Sequence, residues 1–258
     1  MTSGEMVRGL QQRAARAFPA EQVEDADGWW LRHAPGCAWW VGPVLPHGDA
    51  EPGELVRRVV RAEAFYRDRG AAAGFQITPS GCAEGLDDLL AARGYHRHGL
   101  VSLQMASTTR VKEATGLAAL VSTGSLRVRL DDRATSDWLE VWGAVHGHGA
   151  DLAAERDMLA RVEPPSLYAS AMIGEEVVAV GRSVVDTGWA GVFGMATLPG
   201  ARGSGAATTV LGALAKWAAA HDAEHMYLQV ERDNVVALHL YERRGFTEIC
   251  RYHYRMTR

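Results

Sequence analysis

The stretch Leu198-Pro-Gly-Ala-Arg-Gly-Ser-Gly-Ala-Ala207 constrains this chain most, because of what flanks it. Residues 189–196 before it are apolar and strand-like, and residues 208–223 after it are rich in Ala and Leu and read as a helix. A glycine-rich, basic turn between a strand and a helix belongs to a chain that interleaves the two, an α/β fold. The same turn carries chemistry. Backbone N–H groups at a helix N-terminus lack intrahelical partners and carry partial positive charge. Glycines let a phosphate approach those groups, and Arg202 adds a fixed charge, so the turn reads as a phosphate or pyrophosphate cradle. It is not a P-loop, since no Lys-Ser or Lys-Thr follows. It is not a dinucleotide fingerprint either, since Thr208 stands where the third glycine would be. Taken alone, an ordinary tight strand–helix turn explains it as well.

The context downstream decides between them. Residues 226–231 read as a short strand, followed by Asn234-x-x-Ala237-x-x-Leu240-Tyr241-x-x-x-Gly245-Phe246. With Arg202-x-x-Gly205-x-Ala207 before it, this pair of motifs resembles the GNAT superfamily of acyl-CoA-dependent N-acyltransferases, in the order and at the distance usual there. The resemblance covers roughly residues 125–258. It implies acetyl-CoA as the cofactor, with its pyrophosphate on the cradle and its pantetheine in a gap where strand 189–196 parts from strand 226–231.

Bulk properties narrow the function. The 258 residues carry a net charge of −4, which argues against general nucleic-acid binding. Hydrophobic content of 47% is ample for a core. Cys37, Cys82 and Cys250 have no metal-ligand spacing and suggest no disulfide framework. No basic, apolar leader opens the chain and no apolar run is long enough to span a bilayer. The expectation is a cytoplasmic protein, monomer or homodimer, with a small-molecule amine as partner and neither nucleic acid, membrane nor metal.

The chain also repeats itself. An offset of 151 positions lays Gly94-Tyr95 on Gly245-Phe246, the strand-like Phe75-Gln-Ile-Thr on Met226-Tyr-Leu-Gln, and Leu103 and Met105 on Tyr254 and Met256. We read two tandem GNAT-like units, each a mixed, mostly antiparallel sheet flanked by helices: a degenerate one at 1–106, a linker at 107–124 and a catalytic one at 125–258. The first is degenerate because Glu51, Ala83 and Leu90 fall where the second has Arg202, Asn234 and Tyr241. An acidic group is unfavourable where a pyrophosphate needs a cation. Among the expected elements are helices at 6–18, 52–69, 86–93, 136–145 and 152–162. Strands are expected at 29–33, 38–44, 75–78, 100–105, 126–130, 167–172, 177–185 and 248–256.

By resemblance, the cofactor site comprises Met195, Ala196, Thr197 and Leu198, then Arg202, Gly203, Ser204, Gly205, Ala206 and Ala207, then Asn234 and Ala237. Backbone groups of Ala196 and Leu198 would pair with pantetheine, and an N–H near Met195 or Ala196 would polarise the thioester carbonyl. Tyr241 is the expected proton donor to the departing sulfur, since a phenol stays protonated at neutral pH; the alternative for it is core packing. Glu231 is the expected base, or else a solvated carboxylate beside Arg232. Asn234 suits a helix cap as well as a cofactor contact. Trp142, His146 and His148, with Asp151, border the expected acceptor site, and His146 is the runner-up base. Glu155 and Asp157 read as a solvated helix face, Trp189 and Phe193 as core. The function expected is transfer of acetyl from acetyl-CoA to an amine of a small molecule, with an amine-bearing antibiotic (resistance or self-protection) as the example. Acetylation of protein N-termini or lysines is the alternative. A non-catalytic acyl-CoA sensor is the alternative of another class.

Overall fold

The computed structural model describes residues 3–121, 126–147 and 151–257. Two sheets form among them. The smaller is a three-stranded antiparallel sheet of β1 (Gln22–Ala26), β2 (Trp29–His33) and the short β3 (Leu45–Pro46). The larger has eight strands in the order β4-β11-β5-β10-β9-β8-β7-β6. They are β4 (Gly74–Ile77), β5 (His96–Ser107), β6 (Leu126–Asp131), β7 (Ser166–Ile173), β8 (Glu176–Asp186), β9 (Trp189–Thr197), β10 (His225–Glu231) and β11 (Thr247–Met256). All their neighbours pair antiparallel except β9 and β10, which run parallel. The mixed, mostly antiparallel sheet expected from the sequence is therefore present, with helices packed on it.

The order of strands holds a surprise. Under the 151-residue offset β4 corresponds to β10 and β5 to β11, so two self-contained units would pair β4 with β5 and β10 with β11. The observed partners are crossed: β5 lies against β10, with Met226 opposite Ala106 and Glu231 opposite Val101, and β11 lies against β4, with His253 opposite Ile77. β5 and β11 also pair with each other. The block β4-β11-β5-β10 is thus symmetric under exchange of the two halves, and each half supplies the last strand of the other's sheet. The exchanged β11 is fastened to the first half by Asp87, on α3 (Leu86–Ala92), whose Oδ1 accepts from Arg255 Nε at 2.7 Å and lies 2.9 Å from His253 Nε2.

Residues 107–124, expected as linker, include α4 (Thr108–Val121), which follows β5 without a break and packs on α7 (Ala206–Ala220). The contact is close: a Cβ on Gly212 of α7 would lie 3.1 Å from Thr115, which explains a glycine inside a helix. On α7, Val210, Leu211, Leu214, Ala215 and Ala218 are buried at helical spacing, facing the sheet. On the opposite face lies α1 (Ser3–Ala17), which buries Val7, Leu10 and Ala14 against residues of β5, β9 and β11. α2 (Pro52–Arg67) covers the first-half core with Leu55, Val59 and Ala62.

Residues 38–44, expected as a strand, are turns; only Val44 makes a bridge, to Phe75. The segment is apolar because Ala38 and Val41 bury against Met158, not because it enters a sheet. No helix among the described residues is long and apolar enough to cross a membrane.

Candidate active site

The site grows from the parting of two strands. β9 and β10 are in register from His225 opposite Trp189 to Leu228 opposite Val192, and no further. Beyond that point β9 has a bulge against β8: Val180 faces Ala196 and Arg182 faces Phe193, so Gly194 and Met195 together oppose Gly181. Gly194 takes φ +59, which a side chain would resist, and a Cβ there would come within 2.9 Å of Trp138. The parted ends open a cavity of about 450 Å³. Phe193, Gly194 and Met195 line it from β9, and Gln229, Val230 and Glu231 from β10.

Across this opening stands α8 (Val235–Arg243). Asn234 caps it, its Oδ1 accepting from Ala237 N at 3.1 Å, as its residue type foretold. Asn234, Ala237 and Tyr241 share the face that lines the cavity. The Tyr241 ring is 6% exposed and packs edge-on against Phe246 at 5.7 Å. Its hydroxyl has no hydrogen-bond partner among the described residues, and burial pushes its pKa well above that of a free phenol. The group therefore stays protonated at neutral pH and can donate. Core packing and a donor role are compatible here: the ring packs on Phe246 and the residue also lines the cavity. Glu231 is exposed at the rim.

β9 leads into the cradle four residues past Met195. A 3₁₀ turn (Pro199–Ala201) is followed by Gly203 at φ +80 and Gly205 at φ +87, the N-cap of α7. No side chain caps that helix, so the N–H groups of its first turn, Ala206 and Ala207 among them, remain for a ligand. A Cβ on Gly203 would meet nothing within 4 Å. Arg202 is exposed beside the turn, and a second guanidinium arrives from Arg244, whose Nη2 donates to Thr208 Oγ1 at 3.3 Å. An uncapped helix N-terminus, open glycines and two cations fit a pyrophosphate. Arg244 was missed in the sequence because only the fold brings it back to α7.

Three of the expected cofactor residues also make contacts within the chain. Leu198 N donates to Val178 O at 2.9 Å and its carbonyl accepts from Ala201 N at 2.9 Å, so both backbone groups of Leu198 are engaged within the chain and shape the turn. The Ser204 hydroxyl turns inward to Ala201 O at 2.7 Å, leaving that residue to hold the cradle's shape. Met195 O accepts from His146 Nε2 at 3.0 Å. That fixes the His146 proton on Nε2 and leaves Nδ1 as its basic atom. Ala196 and Thr197 stay in the ladder with β8.

Another wall of the cavity is built on α5 (Ser136–His146), capped by Thr135 Oγ1 accepting from Trp138 N. Trp142 and His146 both line the cavity, as expected; His148 lies outside the described residues. Asp151 is the N-cap of α6 (Leu152–Ala160), accepting from Ala153 N at 2.8 Å. Glu155 on that helix is not solvated: it is 2% exposed and lines the cavity. Phe193 is core and cavity wall at once. The first half contributes Phe18, Trp39 and Trp40, and the exchanged β11 adds Tyr252 and Tyr254. Arg182, 1% exposed, sits among them with its guanidinium 4.5 Å from the Phe18 ring and 5.1 Å from that of Phe193. None of these signalled itself in the sequence, where an aromatic pair in a turn or an Arg inside a strand has no fixed meaning. No group of three or more potential metal ligands clusters among the described residues.

Comparison with known proteins agrees with this geometry. Residues 131–246 match the profile of the Acetyltransferase (GNAT) family. The chain is 26% identical over 258 residues to an uncharacterized N-acetyltransferase of Bacillus subtilis (strain 168), YobR, covering 98% of this chain and 99% of that one. It shares its fold with a GCN5-related N-acetyltransferase from Kribbella flavida (TM-score 0.72, 12% identity, 98% and 94% of the two chains). It also shares it with a tandem GNAT protein from the clavulanic acid biosynthesis pathway (TM-score 0.65, 15% identity, 98% and 87%). The matched stretch runs from the end of β6 to just past α8 and so holds the bulge, the cradle and Tyr241: in these residues the chain is similar to the acetyltransferases of the GNAT family.

Proposed function

We propose that this enzyme acetylates a primary amine of a small molecule held in the aromatic cavity, with the acetyl thioester presented between the parted ends of β9 and β10. Acetyl-CoA supplies the activated acyl group; the chain supplies placement, polarisation and proton traffic. The cradle and Arg202 hold the pyrophosphate, and the bulge at Gly194-Met195 leaves backbone outside the ladder to polarise the thioester carbonyl. The amine nitrogen bonds to the acyl carbon, the C–S bond breaks, and the leaving sulfur takes the Tyr241 proton. The amine's surplus proton passes to Glu231 at the rim, with His146 Nδ1 as the second candidate, directly or through water. The observation that carries this reading is Tyr241, which lines the gap between the strands and whose hydroxyl has no hydrogen-bond partner among the described residues.

The first half acts as wall rather than as a second catalyst. Glu51 heads α2, while Ala83 and Leu90 are buried core, so the groups that would bind and protonate are missing there. Its contribution is Phe18, Trp39 and Trp40, which narrow the acceptor cavity and favour a small molecule over a folded protein surface. An amine-bearing antibiotic is one member of that class. The test is thiol release from acetyl-CoA across a panel of small amines, with acetylated product identified by mass; thiol release that no amine stimulates, with acetyl-CoA bound, refutes it.

A further inference from the structure

Glu155 is a carboxylate where a cavity of this kind has least reason to hold one. It lies on α6, 2% exposed, in a cavity whose lining includes Trp39, Trp40, Trp142 and Phe18. Burying an ionised carboxylate without compensation is costly. Half of the compensation is visible: its Oε1 accepts from Ala38 N at 2.5 Å. The other oxygen has no donor among the described residues. Arg182, the cation sharing the same wall, attracts the carboxylate electrostatically but makes no ion pair or hydrogen bond with it among the described residues; its Nη2 donates to Ala17 O at 2.6 Å and its plane lies on the two Phe rings. The loop that bears Ala38 is anchored to α6 independently, by Asp151 N donating to Gly36 O at 2.8 Å and by Cys37 Sγ on Ala154 O at 3.7 Å. So the carboxylate is not needed merely to fasten that loop. What remains is a carboxylate oxygen without a hydrogen-bond donor, on a residue that lines a cavity walled by indole rings, and both features attract an organic ammonium.

The reacting amine does not meet this need. It must be neutral when it attacks, and its place is by Tyr241, Asn234 and Glu231, which β10 and α8 contribute, whereas Glu155 comes from α6 on the wall shared with loop 34–41. We propose that Glu155 anchors a second ammonium group of the acceptor, which makes the preferred substrate a small diamine rather than a monoamine. This rests on the acetyl-transfer reading above and names the substrate class of the same site.

The test compares α,ω-diaminoalkanes about three to eight carbons long, a range that a cavity of about 450 Å³ admits, with the monoamines of equal length. Acetyl-CoA is saturating and thiol release is the readout. The best diamine is expected to exceed its monoamine in kcat/KM by about 10- to 100-fold, the worth of one charge-assisted contact. Glu155→Gln keeps an oxygen for Ala38 and should erase that preference by raising the diamine KM. Its kcat should stay within about threefold and its acetyl-CoA KM should not move. A carboxylate with only a structural role would instead lower kcat, weaken acetyl-CoA binding and depress the melting temperature together. Equal use of the two series by the native enzyme, or a preference that survives in Glu155→Gln, overturns the assignment while leaving acetyl transfer intact. Turnover of other amines but of no diamine does the same. Absence of any amine turnover overturns the transfer reading and this one with it.

Discussion

Removing the Tyr241 hydroxyl should separate catalysis from folding more cleanly than any other single change. The hydroxyl makes no hydrogen bond within the described residues, and the ring that carries it is held by Phe246 and the surrounding core. Tyr241→Phe keeps those contacts and removes an oxygen that the protein itself does not use, so stability should stay within about 0.5 kcal/mol of native. Acetyl-CoA affinity should not change, because the cradle and Arg202 lie outside this cavity wall. The chemical step should suffer: loss of a positioned acid costs about 10²–10⁴ in rate, or roughly 3–5 kcal/mol of barrier. Steady-state kcat, single-turnover rates and calorimetric CoA binding measure the three effects separately. Burial raises the phenol pKa, so the native enzyme should show no fall in rate through the ordinary phenol range near pH 10 that belongs to Tyr241. A near-native single-turnover rate in Tyr241→Phe would refute the reasoning and leave water or another group as the donor.

Further outcomes follow from the cradle, the exchange and the Asp87 link. Gly205→Val, at φ +87 on the helix cap, should weaken CoA binding by at least about tenfold, and Arg202→Ala by a similar factor that shrinks as salt rises; calorimetry showing native affinity in both refutes the cradle. Calorimetry should also find one CoA per chain; two would restore a working site to the first half. Chains cut into residues 1–107 and 108–258 should not fold apart, because each lacks a strand of the sheet it belongs to, but should regain acetyl transfer on mixing; a folded, isolated 108–258 refutes the exchange. The Arg255 guanidinium, then His253, holds Asp87 down at about 2. Its stabilising share is therefore complete above about pH 4, where an unfolded Asp is ionised, and is lost as pH falls towards 2. Asp87→Asn should flatten the fall of melting temperature across that window, and an unchanged acid limb would remove Asp87 from the account.

The parts of the fold legible in the sequence are those governed by local rules. The cradle turn needs positive φ at two places and shows glycine there; α8 begins at Asn234 because an Asx side chain caps it; α7 shows its buried stripe at helical spacing. What was not legible depends on contacts far apart in the chain. Glu155 looks like one more charge on a short helix, and nothing nearby reveals that loop 34–41 folds over it. Residues 38–44 carry the composition of a strand, and the periodicity rule cannot distinguish a strand from a turn buried by a helix more than 100 residues away. The exchange of β5 and β11 was hidden for a different reason. The 151-residue offset makes the two strands equivalent, and equivalent strands fit either partner, so the sequence establishes the kinds of strand but not which half each one completes.

That exchange bears directly on what the first half supplies to the cavity. β10 carries Gln229, Val230 and Glu231 into the cavity, and its free edge is covered by β5 from the first half. Tyr252 of β11 donates to Gln229 Oε1 at 2.7 Å, so an exchanged strand sets the side chain of a cavity residue on its neighbour-but-one. Were β5 absent, β10 would become an edge strand with unpaired backbone at the very place where it parts from β9. The parting itself would then have nothing to hold its far side. A rigid gap needs both of its strands restrained from outside: β8 restrains β9 through the ladder that surrounds the bulge, and β5 restrains β10. The first half thus holds the gap open in addition to walling the acceptor cavity. That mechanical contribution needs no phosphate-binding or acid group in the first half, where Glu51, Ala83 and Leu90 stand at the positions offset from Arg202, Asn234 and Tyr241.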